Sequence, residues 1–306
     1  MLKMNQFLQT SPFDLYELSL FNLVVKHRSF TKAATAAGLT QSAITRQIQG
    51  IENSLGVELL ERTTRNVSLT KAGEYLFEES SRLLGDVDQS LRRLTEDFAD
   101  AKKEIRVGVS HSVCLAHLPG LFHANLRQQP KIRYTVSYQS GADILAALEA
   151  NELDLGILCP PTRLPQTLEV THRFKDTFTL IAPAELAAQY QMISRAALNS
   201  WLSKQTWLLF TEETNTGKRL RKWMAASHLK IEPSVQLDNF DLITTLVSIG
   251  MGISFVPVRA LALYGRKRRL VRLRLPSRFE RELVVLTRKR RKQRDHLQEF
   301  VKYILF

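Results

Sequence analysis

Between residues 30 and 60 the apolar positions recur at helical spacing. Ile44, Ile48, Ile51 and Leu55 follow one another at intervals of four, three and four residues, which predicts one apolar stripe along a helix. A run rich in alanine precedes them and ends at Gly38, a residue suited to the left-handed conformation that terminates helices. The pattern therefore predicts two helices joined by a tight turn.

The polar positions of the second helix form its opposite face. We expect Thr31 to cap the first helix and Thr40 the second, because a threonine hydroxyl accepts from the free amides of a first turn. The polar face carries side chains that can contact base edges in the major groove of DNA. These side chains are Gln41, Ser42, Thr45, Arg46 and Gln49. The alternative interpretation is a solvated helix face with an incidental arginine.

A basic hairpin is predicted after the second helix. Leu59 and Leu60 predict a short strand, and Arg62 and Arg65 lie on or beside the hairpin tip, where they can reach phosphates or the minor groove. Thr70 is a suitable cap for the next helix, whose first amides can also hold a phosphate. This order of elements is that of a winged helix-turn-helix, which places one helix in the major groove of DNA.

Apolar residues continue at three- and four-residue spacing from Thr70 to about Ala99, with Ser80 as an interruption. The seam consists of Phe77, Leu84, Val87, Leu91, Leu94 and Phe98. A heptad seam of this kind predicts a dimerisation helix, which suits paired DNA half-sites. The alternative is that the seam packs on its own domain. We expect Ala99 to Lys103 to form a hinge.

From Glu104 onward strand and helix patterns alternate, which predicts βαβ units with right-handed crossovers. Strands are predicted at 105–109, 132–138, 155–159, 177–182, 207–210, 235–237, 253–256, 270–275 and 283–287. Helices are predicted at 115–128, 142–151, 216–227, 242–249 and 294–305. Prolines between 160 and 165 are expected to mark a crossing between two lobes, with the return near Tyr264.

Polar loops are expected to converge in the cleft between the two lobes, because ligands bind at the carboxyl ends of strands in such sheets. Hydroxyls and helix-terminal amides favour a small anion such as a carboxylate. The candidate ligand-binding residues are Ser110, His111, Ser112, Gln139, Ser140, Thr211 and Asn239. The alternative interpretation of the hydroxyls is that they only cap helices. His111 could add charge selectivity or pH sensitivity, but a single histidine in a loop more often has neither role.

Composition limits the remaining classes of function. The 306 residues predict two or three domains, and the net charge is +13. Residues 14–75 are nearly neutral, whereas residues 262–306 hold fifteen basic and four acidic residues. The runs Arg266–Arg269 and Arg288–Lys292 are interpreted either as a solvated surface or as a patch that attracts DNA or anionic effectors.

Several classes of protein are not expected from the sequence. No apolar run is long enough to span a bilayer and Met1 to Pro12 lack a signal pattern, so we expect a cytoplasmic protein with no membrane partner. Cys114 and Cys159 are too few for a disulfide framework, and a buried structural thiol is expected at Cys114, with a redox sensor as the alternative. Phosphate-binding loops, zinc-ligand spacings and nucleophile elbows are absent from the sequence, which predicts neither catalysis nor a cofactor or metal.

The segment from Leu15 to Leu76 resembles the DNA-binding domain of LysR-type transcriptional regulators. The matching positions are Phe21, 29–31, 33–34, Leu39, 41–43, 45–48, 55–56, Leu59, Arg62, Arg65 and 69–73. Ser42 stands where proline is frequent and Leu60 where phenylalanine is frequent, without disturbing the helix or its polar face. The remainder resembles the effector-binding domain of the same family, and the motifs that carry this resemblance are 104–108, 153–157 and 246–257.

The resemblance implies an α/β protein with a winged helix-turn-helix over 12–72 and a linker, dimerisation helix and hinge over 73–103. A two-lobed, periplasmic-binding-protein-like effector domain follows over 104–306, with lobe I at 104–162 and 265–306 and lobe II at 163–264. It further implies a dimer, paired into a tetramer, that binds an interrupted inverted repeat in double-stranded DNA, responds to a small-molecule effector and contacts RNA polymerase.

Two other interpretations remain open at this point. One is a solute-binding or enzymatic α/β protein with an unrelated helical N-terminal domain. The other is an architectural DNA binder without sequence preference, which would bind in a salt-sensitive manner to any duplex.

Overall fold

The computed structural model describes residues 13–62, 67–99, 102–194, 196–264, 270–289 and 294–304. The chain divides into two compact units, Met1–Asp100 and Ala101–Phe306. This division falls within the segment that the sequence predicts as a hinge. Arg65 and the basic run Arg266–Arg269 lie outside the described residues, as do positions 290–292 of the second basic run.

Unit 1 has the predicted order of helix, turn, helix, hairpin and long helix, with one additional helix in front. Its elements are α1 (Leu15–His27), α2 (Phe30–Ala37), α3 (Gln41–Leu55), β1 (Leu60–Arg62), β2 (Val67–Leu69) and α4 (Lys71–Phe98). Strand β1 begins one residue later than predicted and pairs antiparallel with β2.

One of the two helix caps predicted for α2 and α3 is observed, and the other is replaced by a different residue. Thr40 accepts through Oγ1 from the first turn of α3 at 3.2 Å, and Gly38 ends α2 at a φ of 68°. The predicted cap at Thr31 is wrong. Ser29 has the extended backbone that a cap requires and accepts from the Lys32 amide at 3.3 Å, which places Thr31 inside the helix.

The apolar stripe of α3 forms the centre of the core of unit 1. Ile44, Ile48 and Ile51 are fully buried and share this core with the small side chains of α2 and with residues of α1. Leu55, the fourth predicted member, is 37% exposed, because it lies in the last turn of the helix before Gly56. The three isoleucines are enough to orient the opposite face of α3 outward.

The start of α4 is anchored on the rest of unit 1. Thr70 caps the helix as predicted by accepting from the Gly73 amide at 3.0 Å. Phe77 packs against the core, and the buried Ser80 accepts from the Asn22 side-chain amide at 2.6 Å. The polar interruption of the seam is therefore the place where α4 contacts α1.

The second half of the seam is exposed in the single chain. The exposed fractions are 38% for Val87, 59% for Leu91, 58% for Leu94 and 84% for Phe98. The two interpretations of the seam thus apply to different parts of it. The beginning packs within unit 1, whereas the end presents apolar side chains to solvent.

Unit 2 is built around one large sheet with helices on its faces. Its elements are β3 (Glu104–Ser110), a 3-10 turn (Leu115–His117), α5 (Leu118–Gln128), β4 (Arg133–Gln139), α6 (Gly141–Glu149), β5 (Leu155–Leu158), β6 (Leu168–Pro183), α7 (Glu185–Gln191), α8 (Leu198–Leu202), β7 (Leu208–Phe210), α9 (Asn215–Ala226), β8 (Val235–Leu237), α10 (Phe240–Ser248), β9 (Ser254–Pro257), a second 3-10 turn (Val258–Leu263), β10 (Leu270–Leu273), β11 (Glu280–Arg288) and α11 (Asp295–Lys302). The large sheet has the order β10-β6-β11-β5-β3-β4, with β9 also on β6.

The lobes exchange chain at a different place from the one predicted. Strand β6 is continuous: Leu168 to Thr177 pair with β11, and Phe178 to Pro183 pair with β9 and β10. The first crossing therefore lies inside β6 and not at the prolines before it. Strand β10 pairs with the lobe II half of β6, so the return crossing follows β10 and does not lie near Tyr264.

Alternating residues of the lobe I strands supply two cores. Val107 of β3 and Val285 of β11 face a core that includes Phe300 of α11, whereas Val284 faces a core that includes Ile144 of α6. The parallel pairing of β3 with β4 and with β5 confirms the predicted βαβ arrangement. Helices on both faces leave the strand ends as the accessible edge of the sheet.

Helices α7 and α8 were not predicted from the sequence, and neither was the first half of β6. Both helices are short, and periodicity is a weak signal over so few residues. Within the described residues, no helix combines the length and the apolar character needed to cross a membrane.

Candidate DNA interface and effector cleft

The outward face of α3 is polar and exposed. Gln41, Ser42, Arg46 and Gln49 are exposed, and Thr45 is half-buried. The Thr45 hydroxyl donates to the Gln41 carbonyl at 2.8 Å, so its methyl group is the part left for contact with a partner. An amide, a hydroxyl, a guanidinium and a methyl group on one helix face are groups that can distinguish base edges.

The N-terminal ends of α2 and α3 lie side by side. The Thr31 hydroxyl donates to Gln41 Oε1 at 3.2 Å, and the Thr40 and Ser42 hydroxyls are 3.1 Å apart. The structure thus brings four of the predicted residues together at the N-terminus of α3. Free amides and the helix dipole make such a terminus attractive to a phosphate.

The hairpin next to α3 is held by a carboxylate that the sequence pattern did not single out. Glu52 of α3 accepts through Oε1 from the amides of Leu59 and Leu60, at 2.9 and 3.2 Å. The backbone of Arg62 lies in β1, directly after these residues. Glu52 therefore fixes the position of β1 relative to α3.

The predicted ligand residues of lobe I lie at the ends of β3 and β4. Ser110 and Gln139 are register partners, and the His111 amide donates to the Gln139 carbonyl at 3.3 Å. The buried hydroxyls of Ser110 and Ser112 are 3.0 Å apart. Ser140, which follows Gln139, is exposed. The strand order thus brings these residues to one edge of the sheet.

Two of the predicted residues are helix caps. The Ser140 hydroxyl accepts from the Asp143 amide at 3.1 Å and donates to its carboxylate at 2.7 Å. Asn239 caps α10 by accepting from the Leu242 amide at 2.9 Å. Capping accounts for these contacts without a ligand, and it also leaves the helix termini directed at the cleft.

Polar contacts close the cleft edge between the lobes. His111 Nδ1 lies 3.0 Å from a carboxylate oxygen of Asp238, the neighbour of Asn239. The Leu115 amide donates to Asp241 at 3.0 Å. Burial raises the pKa of Asp241 from its ordinary value, against the opposing effects of that amide and of His117. The two lobes therefore meet around His111 and the start of α10.

Thr211 completes the predicted set at the end of β7. Its amide donates to the Leu237 carbonyl at 2.9 Å, beside the segment that holds Asn239. Its hydroxyl donates to the Glu213 carboxylate, and this bond lowers the pKa of Glu213. An anion that binds Thr211 would therefore have to displace Glu213.

A buried ionic cluster at the lobe crossing was missed by sequence reasoning. Arg281 of β11 and Asp176 of β6 are almost completely buried, and Arg281 Nε and Nη2 donate to Asp176 at 2.9 and 2.8 Å. Arg281 also donates to the Thr216 hydroxyl and to the Ser112 carbonyl, each at 2.6 Å. Charged residues within strand patterns predict exposed positions, so the sequence held no signal for this cluster.

A buried histidine lies against Asp176, and two buried thiols occur elsewhere in unit 2. His117 is fully buried, with Nε2 3.6 Å from Asp176 Oδ1. Burial alone would raise the pKa of Asp176, but the neighbouring His117 and Arg281 outweigh it and hold the pKa below the usual carboxyl value. Burial raises the pKa of the Cys114 thiol far above its ordinary value. Cys114 and Cys159 are both buried free thiols.

The described part of the chain contains no group of three or more His, Cys, Asp or Glu side chains placed to hold a metal ion.

Two family profiles match the chain. The bacterial regulatory helix-turn-helix protein profile of the lysR family matches residues 15–74. The LysR substrate binding domain profile matches residues 99–305, which is more than half of the chain.

One curated relative matches over most of the chain, and another matches more closely over about half of it. The chain is 25% identical over 291 residues to the HTH-type transcriptional activator IlvY of Haemophilus influenzae, covering 94% of this chain and 98% of the relative. It is 35% identical over 144 residues to the HTH-type transcriptional regulator BenM of Acinetobacter baylyi, covering 47% of each chain.

Solved structures share the fold. Full-length CbnR complexed with its target DNA matches with a TM-score of 0.65 and 20% identity, covering 95% of this chain and 99% of that chain. Full-length OxyR from Pseudomonas aeruginosa matches with a TM-score of 0.65 and 18% identity, covering 95% of this chain and 94% of that chain.

Proposed function

The chain belongs to the LysR family of bacterial helix-turn-helix transcriptional regulators, and from this premise we propose which side chains read DNA and where an effector binds. Proteins of this family are DNA-binding regulators with an effector-binding domain, and they are not enzymes. This assignment sets aside the interpretation of a solute-binding protein with an unrelated N-terminal domain.

The polar face of α3 reads the bases of the target site. The observation that carries this proposal is the exposure of Gln41, Ser42 and Arg46 opposite a fully buried isoleucine stripe. Glutamine suits adenine, arginine suits guanine, and the Thr45 methyl group suits the methyl group of thymine. Thr31, Thr40, Arg62 and Arg65 would position the helix by contacts with phosphates or the minor groove.

Selection of bound fragments from sheared genomic DNA at near-physiological salt tests this proposal. We expect the wild-type protein to enrich a two-fold symmetric, interrupted inverted repeat, and the Arg46→Ala variant to lose the enrichment. Arg163→Ala, which removes an exposed arginine from unit 2, is the matched control and should enrich the same site. Enrichment of no common sequence by the wild type would favour an architectural DNA binder and contradict base reading by α3.

Self-association through α4 accounts for the symmetry of such a site. The exposed end of the seam offers apolar side chains that need a partner in water, and a second copy of the same helix supplies the matching surface. A dimer then presents two α3 helices to two half-sites. Pairing of dimers into a tetramer and contact with RNA polymerase belong to the same proposal.

The effector binds at the edge of the unit 2 sheet, between the lobes. Hydroxyl, amide and helix-terminal groups from both lobes meet there, and such groups suit a small carboxylate. The proposed contacts are Ser110, His111, Ser112, Gln139, Ser140, Thr211 and Asn239. Binding would shift the population of lobe arrangements and thereby the geometry of the bound dimers.

Thermal unfolding of the full-length protein with a panel of small mono- and dicarboxylates tests the cleft. A ligand that binds only the folded state raises the midpoint temperature in a concentration-dependent manner. We expect at least one such carboxylate for the wild type, with a smaller shift for Thr211→Val and an unchanged shift for the exposed control Thr162→Val. Equal shifts in all three proteins would contradict the proposed site.

A further inference from the structure

A second cavity lies in lobe II, away from the strand edge that forms the effector cleft. Its volume is about 380 Å³, within the range of about 300–1,000 Å³ that is typical of small-molecule sites. The lobe II half of β6, the end of β10 and the loop 274–279 enclose it, and α9 closes one side with Trp223. No proposed effector contact lines it.

Aromatic, aliphatic and hydroxyl side chains line the cavity together with arginines. Phe178, Phe255 and Phe279 are buried, and Trp223 lies edge-on to Phe255 with ring centroids 5.2 Å apart. Phe178 and Phe279 also make an edge contact at 4.8 Å. Half-buried Trp223 offers a planar apolar group an accessible ring, and the three buried phenylalanines pack behind it.

The charge of the lining is entirely positive. Arg272, Arg274 and Arg278 line the cavity, and the described part of its lining contains no aspartate or glutamate. Within the described part of the chain, none of these three guanidinium groups has a carboxylate partner. Guanidinium groups bind carboxylates through paired hydrogen bonds, so an anionic head group would supply the partner that the protein does not.

The loop that carries two of these arginines is held in place. The Tyr190 hydroxyl donates to the Arg274 carbonyl, and the hydroxyls of Ser277 and Ser227 lie 3.2 Å apart. The Phe178 amide donates to the Phe279 carbonyl at 2.8 Å. The cavity is thus formed before any ligand arrives, which reduces the entropy lost on binding.

We propose that this cavity is a second ligand site, distinct from the effector cleft, that binds a small aromatic carboxylate. The ring packs on Trp223, which the buried phenylalanines support, and the carboxylate pairs with the exposed arginines at the rim. The site also adjoins the lobe crossing, since the Arg281 guanidinium lies 5.2 Å from the centroid of the Phe178 ring. The proposal does not depend on the effector cleft, because the two share no proposed ligand contact.

Three matched probe molecules separate the contribution of the aromatic ring from that of the carboxylate charge. 3-Phenylpropionate has ring and charge, 3-phenyl-1-propanol has the ring without the charge, and propionate has the charge without the ring. By calorimetry on the full-length protein, we expect 3-phenylpropionate to bind at least about tenfold more tightly than either partial probe. Equal binding of the acid and the alcohol, or no binding of the acid, would overturn the proposal.

Variants at the rim locate the binding. The double variant Arg272→Gln, Arg278→Gln should weaken 3-phenylpropionate binding at least about tenfold, because it removes two charged donors. Arg163→Gln, which changes an exposed arginine elsewhere in unit 2, should bind as the wild type does. Loss of binding in a Ser110→Ala, Thr211→Val variant with retention in the arginine variant would place the probe in the cleft and overturn the proposal.

Fluorine NMR gives a readout at the cavity itself. The chain has three tryptophans, of which only Trp223 lines the cavity, so protein labelled with 5-fluorotryptophan should give separable signals. The signal assigned to this side chain by Trp223→Phe is expected to shift with 3-phenylpropionate, while those of Trp201 and Trp207 stay in place. Calorimetric binding without a shift of the Trp223 signal would overturn the assignment to this cavity.

Discussion

At individual residues, the close contacts of the folded chain decide which side chain fits. Two glycines in the helices of unit 1 illustrate this. Gly73, in the first turn of α4, lies so near the hairpin that a methyl group on its Cα would be 2.0 Å from the Leu59 carbonyl oxygen. At Gly50, in α3, the same methyl group would meet no described atom within 4 Å beyond the adjoining backbone of its own helix. A side chain at position 73 would therefore clash with backbone, whereas position 50 has room for one.

Alanine at these two positions should have opposite effects on stability. Gly50→Ala is expected to stabilise unit 1 by about 0.5–1 kcal/mol, because alanine is the better helix former. Gly73→Ala should destabilise it by about 1–3 kcal/mol, because the added methyl group overpacks against backbone. Urea unfolding followed by circular dichroism measures both. Equal stability of Gly73→Ala and the wild type would contradict the close approach.

His296 makes stability depend on pH in a defined window. Burial, together with the charges of Arg294 and Lys103, lowers its pKa to about 4 from a usual value of 6.5. The unfolded chain therefore binds a proton between these values and the folded chain does not, so this residue makes stability fall as the pH drops from 6.5 to 4.

Urea midpoints at pH values between 4 and 7 test the contribution of His296. We expect His296→Gln to flatten the pH dependence across this interval, since glutamine does not titrate. The pKa values of Asp154 and Asp176 are lowered below 3.8, so these carboxyl groups lose their contribution only at more acidic pH. An identical pH profile for the variant and the wild type would contradict the assignment.

At the scale of elements, α4 has two functions along its length. Its first turns complete the core of unit 1 through Phe77 and Ser80, whereas its last turns expose Leu91, Leu94 and Phe98. Exposed apolar side chains in one stripe are typical of an interface. The helix thus extends the DNA-binding unit into a surface for a second copy.

A charge on the exposed stripe should disrupt the dimer. Leu91→Glu is expected to raise the dimer dissociation constant at least roughly 30-fold, equivalent to ~2 kcal/mol, because it places two carboxylates in an apolar seam. Ser90→Glu puts the same charge on an exposed neighbouring residue of α4 and serves as the control. Sedimentation equilibrium measures both constants. An unchanged constant for Leu91→Glu would remove α4 from the interface.

The sequence predicted those helices and strands whose buried residues recur at regular intervals along the chain. The isoleucine spacing predicted the buried face of α3, and the βαβ alternation predicted the parallel pairs of unit 2. The first half of β6 was missed, because most of its residues from Leu168 to Lys175 are polar and only partly buried. The Arg281 and Asp176 pair was missed for a related reason, since only tertiary packing buries charges on strands.

Over the whole molecule, the residues proposed to recognise DNA and those proposed to bind ligands lie in separate units of the chain. The candidate base-reading residues lie in unit 1, and the cleft and the second cavity lie in unit 2. Within unit 2, the cluster of Arg281 and Asp176 connects the lobes, because Arg281 also reaches Thr216 in lobe II and the Ser112 carbonyl in lobe I. This cluster holds the crossing strands in a fixed arrangement.

Replacing Arg281 alone should lower the free energy of unfolding more than replacing both Arg281 and Asp176. Arg281→Met leaves Asp176 buried without its principal cation and is expected to destabilise unit 2 by about 3–5 kcal/mol. The double variant Arg281→Met, Asp176→Leu should recover most of that loss, because no uncompensated charge remains. Urea unfolding measures the three proteins. A double variant as unstable as the single one would contradict this explanation.

The most direct test of the account is the sequence preference of DNA binding by α3. The dissociation constants for the selected site and for a scrambled duplex are measured at physiological salt with the wild type, Arg46→Ala and Arg163→Ala. We predict that Arg46→Ala weakens binding to the selected site roughly 5- to 150-fold, from ~1–3 kcal/mol for a base contact, and barely changes binding to the scrambled duplex. An equal loss on both duplexes, or no loss on either, would contradict base reading by this helix.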